Sequence, residues 1–313
     1  MVETIVTNCI GTFVLQNKKV IAKILFKNSL DFMNSDFVSQ HEVQMQKKYP
    51  AAKIAKEYIF PEMKEYLQQF QVIAIELAKK SCRESVTKQH LVIQAVEAIT
   101  ALDKTTNPLI KKLREWYALY CPEAVESIGN HESFVHLILT KSKEELLAEF
   151  HKTESMGADF SQIDLAPLKV YAKRIQEMYN EKKELELYIE QAMQDIAPNL
   201  TAVAGHILAA ELLARARSLE RLAYMPSSTI QMLGAENALF RYLKKQGRCP
   251  RHGVIITHPL LASAKNPVHG KIARKIASAV SIAAKIDHFR GDSYTGYGLR
   301  EKLEKDVKKI TGE

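Results

Sequence analysis

The sequence predicts a mainly α protein with a small N-terminal α/β domain, long antiparallel coiled-coil helices and an all-helical C-terminal domain. Three observations carry this. Short β-rich runs are confined to the first thirty residues, a heptad ladder runs from Leu168 to Ile196, and alanine-rich amphipathic stretches fill the chain after Pro198. At 313 residues the chain is too long for one compact core, so several domains are expected. We place them at 1–120, 121–224 and 225–313.

TIVTNCIGTFVLQNKKVIAKILF has β-rich runs on either side of Gln16-Asn17-Lys18-Lys19, which reads as a hairpin. From Glu62 to about Thr100 the spacing turns helical. EYLQQFQVIAIELAKK sets Leu67, Phe70, Ile73, Ile75 and Leu77 on one broad apolar face. A further helix covers PLIKKLREWYALY and stops at Cys121-Pro122, because proline restricts the residue before it. Trp116 and Tyr117 on that helix are expected in the core rather than on nucleobases.

Ser142-Lys143-Glu144-Glu145 has the form of a capping box. The ladder follows: Leu168, Tyr171, Ile175, Met178, Lys182, Leu185, Ile189, Ala192 and Ile196, in alternating steps of three and four. Such spacing supports a coiled coil or a long antiparallel helix pair, within the chain or between copies. Lys182 at a core-type position either sets register or extends its amine to water. Pro198 ends that helix. The next segment, NLTAVAGHILAAELLARARSLERLAYM, carries small residues that let helix axes come close. After Met225-Pro226, Ser228-Thr229-Ile230-Gln231 reads as another capping box. The helix IQMLGAENALFRYLKKQG holds Gly234 inside, implying a break or a close backbone approach, and Gly247 at its C-terminal cap. KIARKIASAVSIAAKIDHF reads as a helix, basic first and then apolar.

Composition narrows the function. Apolar residues at 46% and charged residues at 26% mark a folded chain. No run reaches the ~18 apolar residues of a membrane span, and the N-terminus lacks the basic start of a signal peptide. Cys9, Cys82, Cys121 and Cys249 lie far apart, which fits reduced, buried thiols better than disulfides or zinc ligands. From Met225 onward there are 16 Lys+Arg against 7 Asp+Glu, whereas residues 1–224 hold 28 against 29. Between Asn237 and Ile286 stand ten basic residues and no carboxylate. Solvated helix faces mix signs, so fifty residues without an acid point to a polyanion, most often nucleic acid. His252 and His258 have no carboxylate nearby to orient a general base, and Cys249 has no partners at metal-ligand spacing. His258 reads as a buried histidine bonded to backbone.

MPSSTIQMLGAENALFRYLK (225–244), PRHGVIITHPLL (250–261) and GKIARKIASAVSIAAKID (270–287) resemble the Nop domain. APNLTAVAGHILAAELLARARSLERLA (197–223) and IDLAPLKVYAKRIQEMY (163–179) are similar to that family's coiled-coil portion, and LREWYALYCPE (113–123) to its junction. The chain reaches Glu313 soon after one amphipathic helix, without the long Lys/Glu-rich tail usual in nucleolar members. That favours the archaeal scaffold of box C/D small ribonucleoproteins, and a cytoplasmic location.

The resemblance implies a non-catalytic core protein for RNA 2′-O-methylation. Its N-terminal domain would bind fibrillarin, which carries the S-adenosylmethionine; no cofactor is expected on this chain. The coiled coil, through Leu168, Tyr171, Ile175, Met178, Leu185 and Ile189, would make a homodimer. The C-terminal domain would bind box C/D guide RNA together with a small kink-turn-binding protein. The alternatives are a splicing-type Nop-domain adaptor and a stand-alone RNA-modifying enzyme. Where the family commonly has Gly-Ala-Glu-Lys, this chain has Gly234, Ala235, Glu236 and Asn237, so position 237 keeps hydrogen bonding but loses a charge-assisted contact. Gln231, Arg241, Lys244, Lys245, Arg248, Arg251 and His252 on one helix and loop, with Lys271, Arg274 and Lys275 on the next helix, are the expected contacts to phosphates or partner protein.

Overall fold

A computed structural model describes residues 3–17, 19–27, 29–55, 67–289 and 295–311. They fall into two compact units, Met1–Thr87 and Lys88–Glu313. The first is built on a four-stranded sheet of order β3-β2-β1-β4, from β1 (Glu3–Asn8), β2 (Gly11–Gln16), β3 (Lys19–Leu25) and β4 (Lys53–Ile54). β1–β2 and β2–β3 are antiparallel, and β4 runs parallel to β1. The expected hairpin is the β2–β3 turn, where Asn17 takes a left-handed φ of 51°; Lys18 lies outside the described residues. A second hairpin at Cys9-Ile10 was not expected. There the Asn8 carboxamide accepts from the Ile10 and Gly11 amides and closes the turn, as short Asx side chains do. Helices α1 (Ser29–Met33), α2 (Ser35–Lys48) and α3 (Leu67–Ser85) complete this unit. Residues 62–66, the expected start of α3, are outside the described residues.

The second unit is all helical. α4 (Lys88–Ala118) and α8 (Gln162–Ile196) form a long packed pair.

 α8 runs unbroken over 35 residues from Gln162 to Ile196, and α4 over 31. Both lengths pass straight through a proline, Pro108 in α4 and Pro167 in α8. The expected separate helix at PLIKKLREWYALY is therefore the second half of α4. Residues 88–118 pack within this second unit, against α8 and α10 (His206–Ala216). The heptad ladder faces inward: Leu168, Ile175 and Ile189 are buried, and Tyr171, Met178 and Leu185 are half-buried against the α4 side. Lys182 donates to Asp103 of α4 at 2.7 Å, a half-buried bridge that fixes the register of the pair.

At the far end of the pair sit α5 (Pro122–Ser127), α6 (His131–Thr140) and α7 (Lys143–Glu149), around Tyr117, Phe134, Val135 and Leu146. Tyr117 is buried and Trp116 half-buried, as core anchors should be. The expected capping box is present: Ser142 accepts from the Glu145 amide while the Glu145 carboxylate accepts from the Ser142 amide. Of the cysteines, Cys121 is buried and Cys9 half-buried, but Cys82 and Cys249 are exposed, against expectation.

At the near end, the segment after Pro198 is three helices rather than one: α9 (Pro198–Ala204), α10 and α11 (Leu219–Tyr224). The breaks fall at Gly205 and Arg217, whose φ values are 79° and 72°. Arg217 holds this left-handed conformation while its guanidinium pairs with Glu97 of α4 at 2.8 Å. α12 (Ser227–Met232), α13 (Glu236–Leu243), a 3-10 turn (Val254–Thr257), α14 (Pro259–Ala262), α15 (His269–Phe289) and α16 (Thr295–Thr311) follow. Asp287 ties three of these helices together. It accepts from the Asn199 amide (3.0 Å), the Asn199 side chain (2.7 Å) and the Leu200 amide (2.8 Å), capping α9, while Asn199 accepts from the Gly296 amide (2.6 Å) at the start of α16. Replacing Asp287 by Ala leaves three donors without this acceptor. We expect a loss of about 1–3 kcal/mol, read as a lowered midpoint in denaturant unfolding, with Asp287→Asn costing less.

Candidate nucleic-acid interface

The basic segment is folded around two glycines. α12 has Pro226 at its N-cap and no side-chain cap, so the expected box at Ser228 does not form. Gln231 instead donates to the Arg251 carbonyl at 2.7 Å. The helix expected through 247 breaks at Leu233–Ala235, with Gly234 at φ 87° and its amide given to the Glu236 carboxylate at 2.7 Å. A Cβ on Gly234 would stand 2.6 Å from Val254 Cγ1 and 3.0 Å from Arg215 Cζ. Gly253 is tighter still, since a Cβ there would sit 1.8 Å from the Leu233 carbonyl oxygen. This close approach lets Gly253 donate to Gln231 and Val254 donate to Leu233, both at 2.8 Å. The loop from Lys244 to Arg251 is thus closed at its base. α13 ends at Leu243, and the left-handed residue after it is Lys245 (φ 58°), not the expected Gly247.

The structure divides the expected contact residues into two kinds. Arg241, Lys244, Lys245 and Arg248 are exposed, and their side chains form no ion pair or hydrogen bond among the described residues; the same holds for Lys271 and Arg274 on α15. Asn237 is exposed on the first turn of α13, next to Ala235 and Glu236. The others are structural. Gln231 braces the loop, Lys275 pairs with Asp306 of α16 at 2.8 Å, and Arg251 donates to the Asn266 carbonyl and side chain at 2.9 and 3.1 Å. That last contact, with the His252 and His269 rings 5.7 Å apart, sets the loop against the start of α15 and so brings Lys271 and Arg274 near it. Burial and the neighbouring His269 hold the His252 pKa below its ordinary value. Sequence reasoning passed over Lys265, which is exposed just before α15, forms no ion pair among the described residues and belongs to the same carboxylate-free run.

His258 is buried. Its Nδ1 accepts from the Leu260 amide at 3.2 Å, capping α14, which leaves Nε2 to donate to the Val203 carbonyl at 3.1 Å. Both nitrogens are committed in a neutral ring, and burial lowers the pKa. The Cys249 thiol lies 3.6 Å from the Pro250 carbonyl. No group of three or more His, Cys, Asp or Glu stands ready for a metal among the described residues. No described helix is long and apolar enough to cross a membrane.

A helical module with an unpaired cationic face, mounted on a long helix pair, defines a class of protein built to meet a polyanion. The sequence pattern of the Nop snoRNA-binding domain matches residues 98–309. An uncharacterised NOP5 family protein of Methanocaldococcus jannaschii is 39% identical over 276 residues, covering 82% of this chain and 66% of that one. Nucleolar protein 56 is 32% identical in Schizosaccharomyces pombe (69% of this chain, 48% of the relative) and 34% in Homo sapiens (69% and 40%). The chain thus spans just under two thirds of the archaeal relative and less than half of the nucleolar ones. Among solved structures, a chain from a crystal structure of a fibrillarin/Nop5p complex aligns with a TM-score of 0.47 at 22% identity, covering 98% of this chain and 99% of that one. The chain belongs to the Nop family.

Two predictions follow from the packing. Gly253→Ala must push the Leu233 carbonyl aside and should cost more than about 1 kcal/mol, seen as a lower thermal midpoint. His258, depressed below its unfolded value of 6.5, contributes stability that is present above that pH and is lost as pH falls below it. Unfolding of the wild type should therefore become easier below about pH 6.5, more steeply than in a His258→Gln variant measured over the same range.

Proposed function

We propose that the chain is a core scaffold of a box C/D guide ribonucleoprotein. Residues 225–313 hold kink-turn RNA with its small binding protein, residues 1–120 hold fibrillarin, and the helix pair in residues 121–224 with α4 mediates homodimerisation. The observation that carries this reading is the set of unpaired cations on a Nop-family module: Arg241, Lys244, Lys245, Arg248, Lys271 and Arg274 face solvent with no carboxylate between Asn237 and Ile286. Such a face supplies affinity and orientation through phosphates and carries little base information. Arg241, Lys244 and Lys245 on the following turns stand in for the charge that Asn237 lacks. Chemistry belongs to the partner: methyl transfer and S-adenosylmethionine sit on fibrillarin, and this chain needs no cofactor. The setting is an archaeal cytoplasm.

Because Leu168, Ile175 and Ile189 are already buried within the chain, pairing between copies uses the opposite face of α8, where Ile163, Val170 and Tyr188 are exposed. Their spacings of 7 and 18 residues put them on one line of the helix.

The test is a gel shift with kink-turn RNA, with and without the small kink-turn protein. A ternary complex that forms only with that protein is expected; equal binding of bare RNA overturns the reading. Failure to bind fibrillarin points to a splicing-type adaptor, and methyl transfer by the chain alone to an enzyme. Arg241→Ala with Arg248→Ala should weaken assembly and flatten its salt dependence by about one unit of log–log slope per lost phosphate contact. An unchanged slope removes both residues from the interface.

A further inference from the structure

The charge of this chain is segregated along the helix pair. The far end, residues 119–165, holds three lysines, no arginine and nine carboxylates, whereas residues from Met225 onward carry the whole positive excess. Glu126, Glu144 and Glu154 at the far end are exposed and form no ion pair among the described residues. Phosphate is repelled from such a surface, so nucleic acid is not its ligand.

The far end also displays apolar side chains on a rigid support. Glu123, only 9% exposed, accepts from the Ser155 hydroxyl at 2.8 Å and the Met156 amide at 2.7 Å. Ala158 donates to the Leu119 carbonyl at 2.8 Å, and Gly157 lies so close to Tyr120 that a Cβ would stand 2.2 Å from its carbonyl oxygen. The loop is therefore clamped to the end of α4. Yet Met156 is 91% exposed and Leu119 62% exposed, with Ile163 exposed on the next helix. A well-fixed loop that holds a methionine in water has the form of a docking surface.

The complementary surface lies elsewhere in the same chain. α13 buries none of its residues. Phe240 and Leu243 are 61% and 64% exposed, Tyr242 is exposed as well, and Arg241, Lys244 and Lys245 flank them. α13 and the two lysines that follow it thus form a basic, amphipathic segment with its apolar side uncovered. It cannot reach the tip of its own chain: Glu236 sits in the groove lined by Lys104, and α4 continues from there for about 21 Å before Leu119. Both surfaces remain bare in the single chain.

We propose that α13 of a second copy docks on the acidic tip, Phe240 and Leu243 packing on Met156 and Leu119 while Arg241 and its neighbours face Glu154, Glu144 and Glu126. The contact covers α13 until RNA arrives, because the same cations are those assigned above to phosphate. The contact between copies stands without that RNA assignment; only the competition with RNA rests on it.

The test uses the full chain without RNA. A photo-crosslinking benzophenone amino acid replaces Met156, and isotopically labelled and unlabelled copies are mixed. At low salt the cross-link is expected on residues 236–248 of the other copy, and it should fall at least about tenfold in 1 M salt, where the Debye length is ~3 Å. Phe240→Glu with Leu243→Glu should abolish it; α13 buries nothing, and a thermal midpoint checks that the fold survives. Glu154→Lys should weaken the cross-link, and adding Arg241→Glu should restore it. Cross-links confined to one copy, mapping elsewhere, or unmoved by the α13 variants overturn the proposal. Loss of the cross-link on adding kink-turn RNA and its binding protein supports the shared surface. If it persists while RNA is bound, the contact between copies stands and α13 is removed from the RNA interface.

Discussion

Helix α10 must be packed on nearly every side, and the near end of the molecule is organised by that requirement. Ala209, Ala210, Leu212, Leu213 and Ala216 are fully buried. An eleven-residue helix with so little polar face has no stable exposed position. It is covered by α4 and α8 on one side, and by α9, α11 and the 254–257 turn on others. The alanines set how near those neighbours come. The backbone reversals at Gly205 and Arg217 then let α9 and α11 turn away and build the floor on which α15 lies. The basic module is joined to the helix pair through one continuous core, from Val92 and Ile189 to Ile276 and Val280.

On that floor, charge is sorted by what each cation can already touch. α16 brings Asp306 to Lys275, and Glu97 takes Arg217. Residues 237–286 have no acid of their own, so the cations on α13 and the following loop stay unneutralised. The two glycines make this possible mechanically: Gly234 lets the chain reverse before α13, and Gly253 lets the returning strand touch the backbone it left. The loop projects from a base held by backbone hydrogen bonds and needs no carboxylate to brace it.

Much of this was legible in the sequence because periodicity and charge are additive signals. The ladder from Leu168, the Ser142 capping box, the acid-free run and the buried role of His258 all rest on residues that act locally. The breaks were harder. Arg217 carries no mark in the sequence of its left-handed backbone, and its partner Glu97 stands 120 positions away. Pro108 reads as the first residue of a helix, yet it lies inside α4, where packing along α8 outweighs the one hydrogen bond it removes. Ser228 has the right spacing for a cap, but Gln231 finds a better acceptor in Arg251. The free and the braced arginines, likewise, differ only in tertiary partners.

The two prolines of the helix pair have a mechanical consequence. Pro108 deprives the Lys104 carbonyl of its helical donor, and Pro167 does the same to Ile163. The gap at Lys104 lies in the groove shared with Glu211, Ala214 and Arg215 of α10, whereas the gap at Ile163 lies in the first turn of α8. The Lys182–Asp103 brace therefore stands one residue from the gap in α4. Where α4 loses a rung, a side-chain bridge to α8 carries the load that the backbone ladder cannot, next to the anchorage of the basic module.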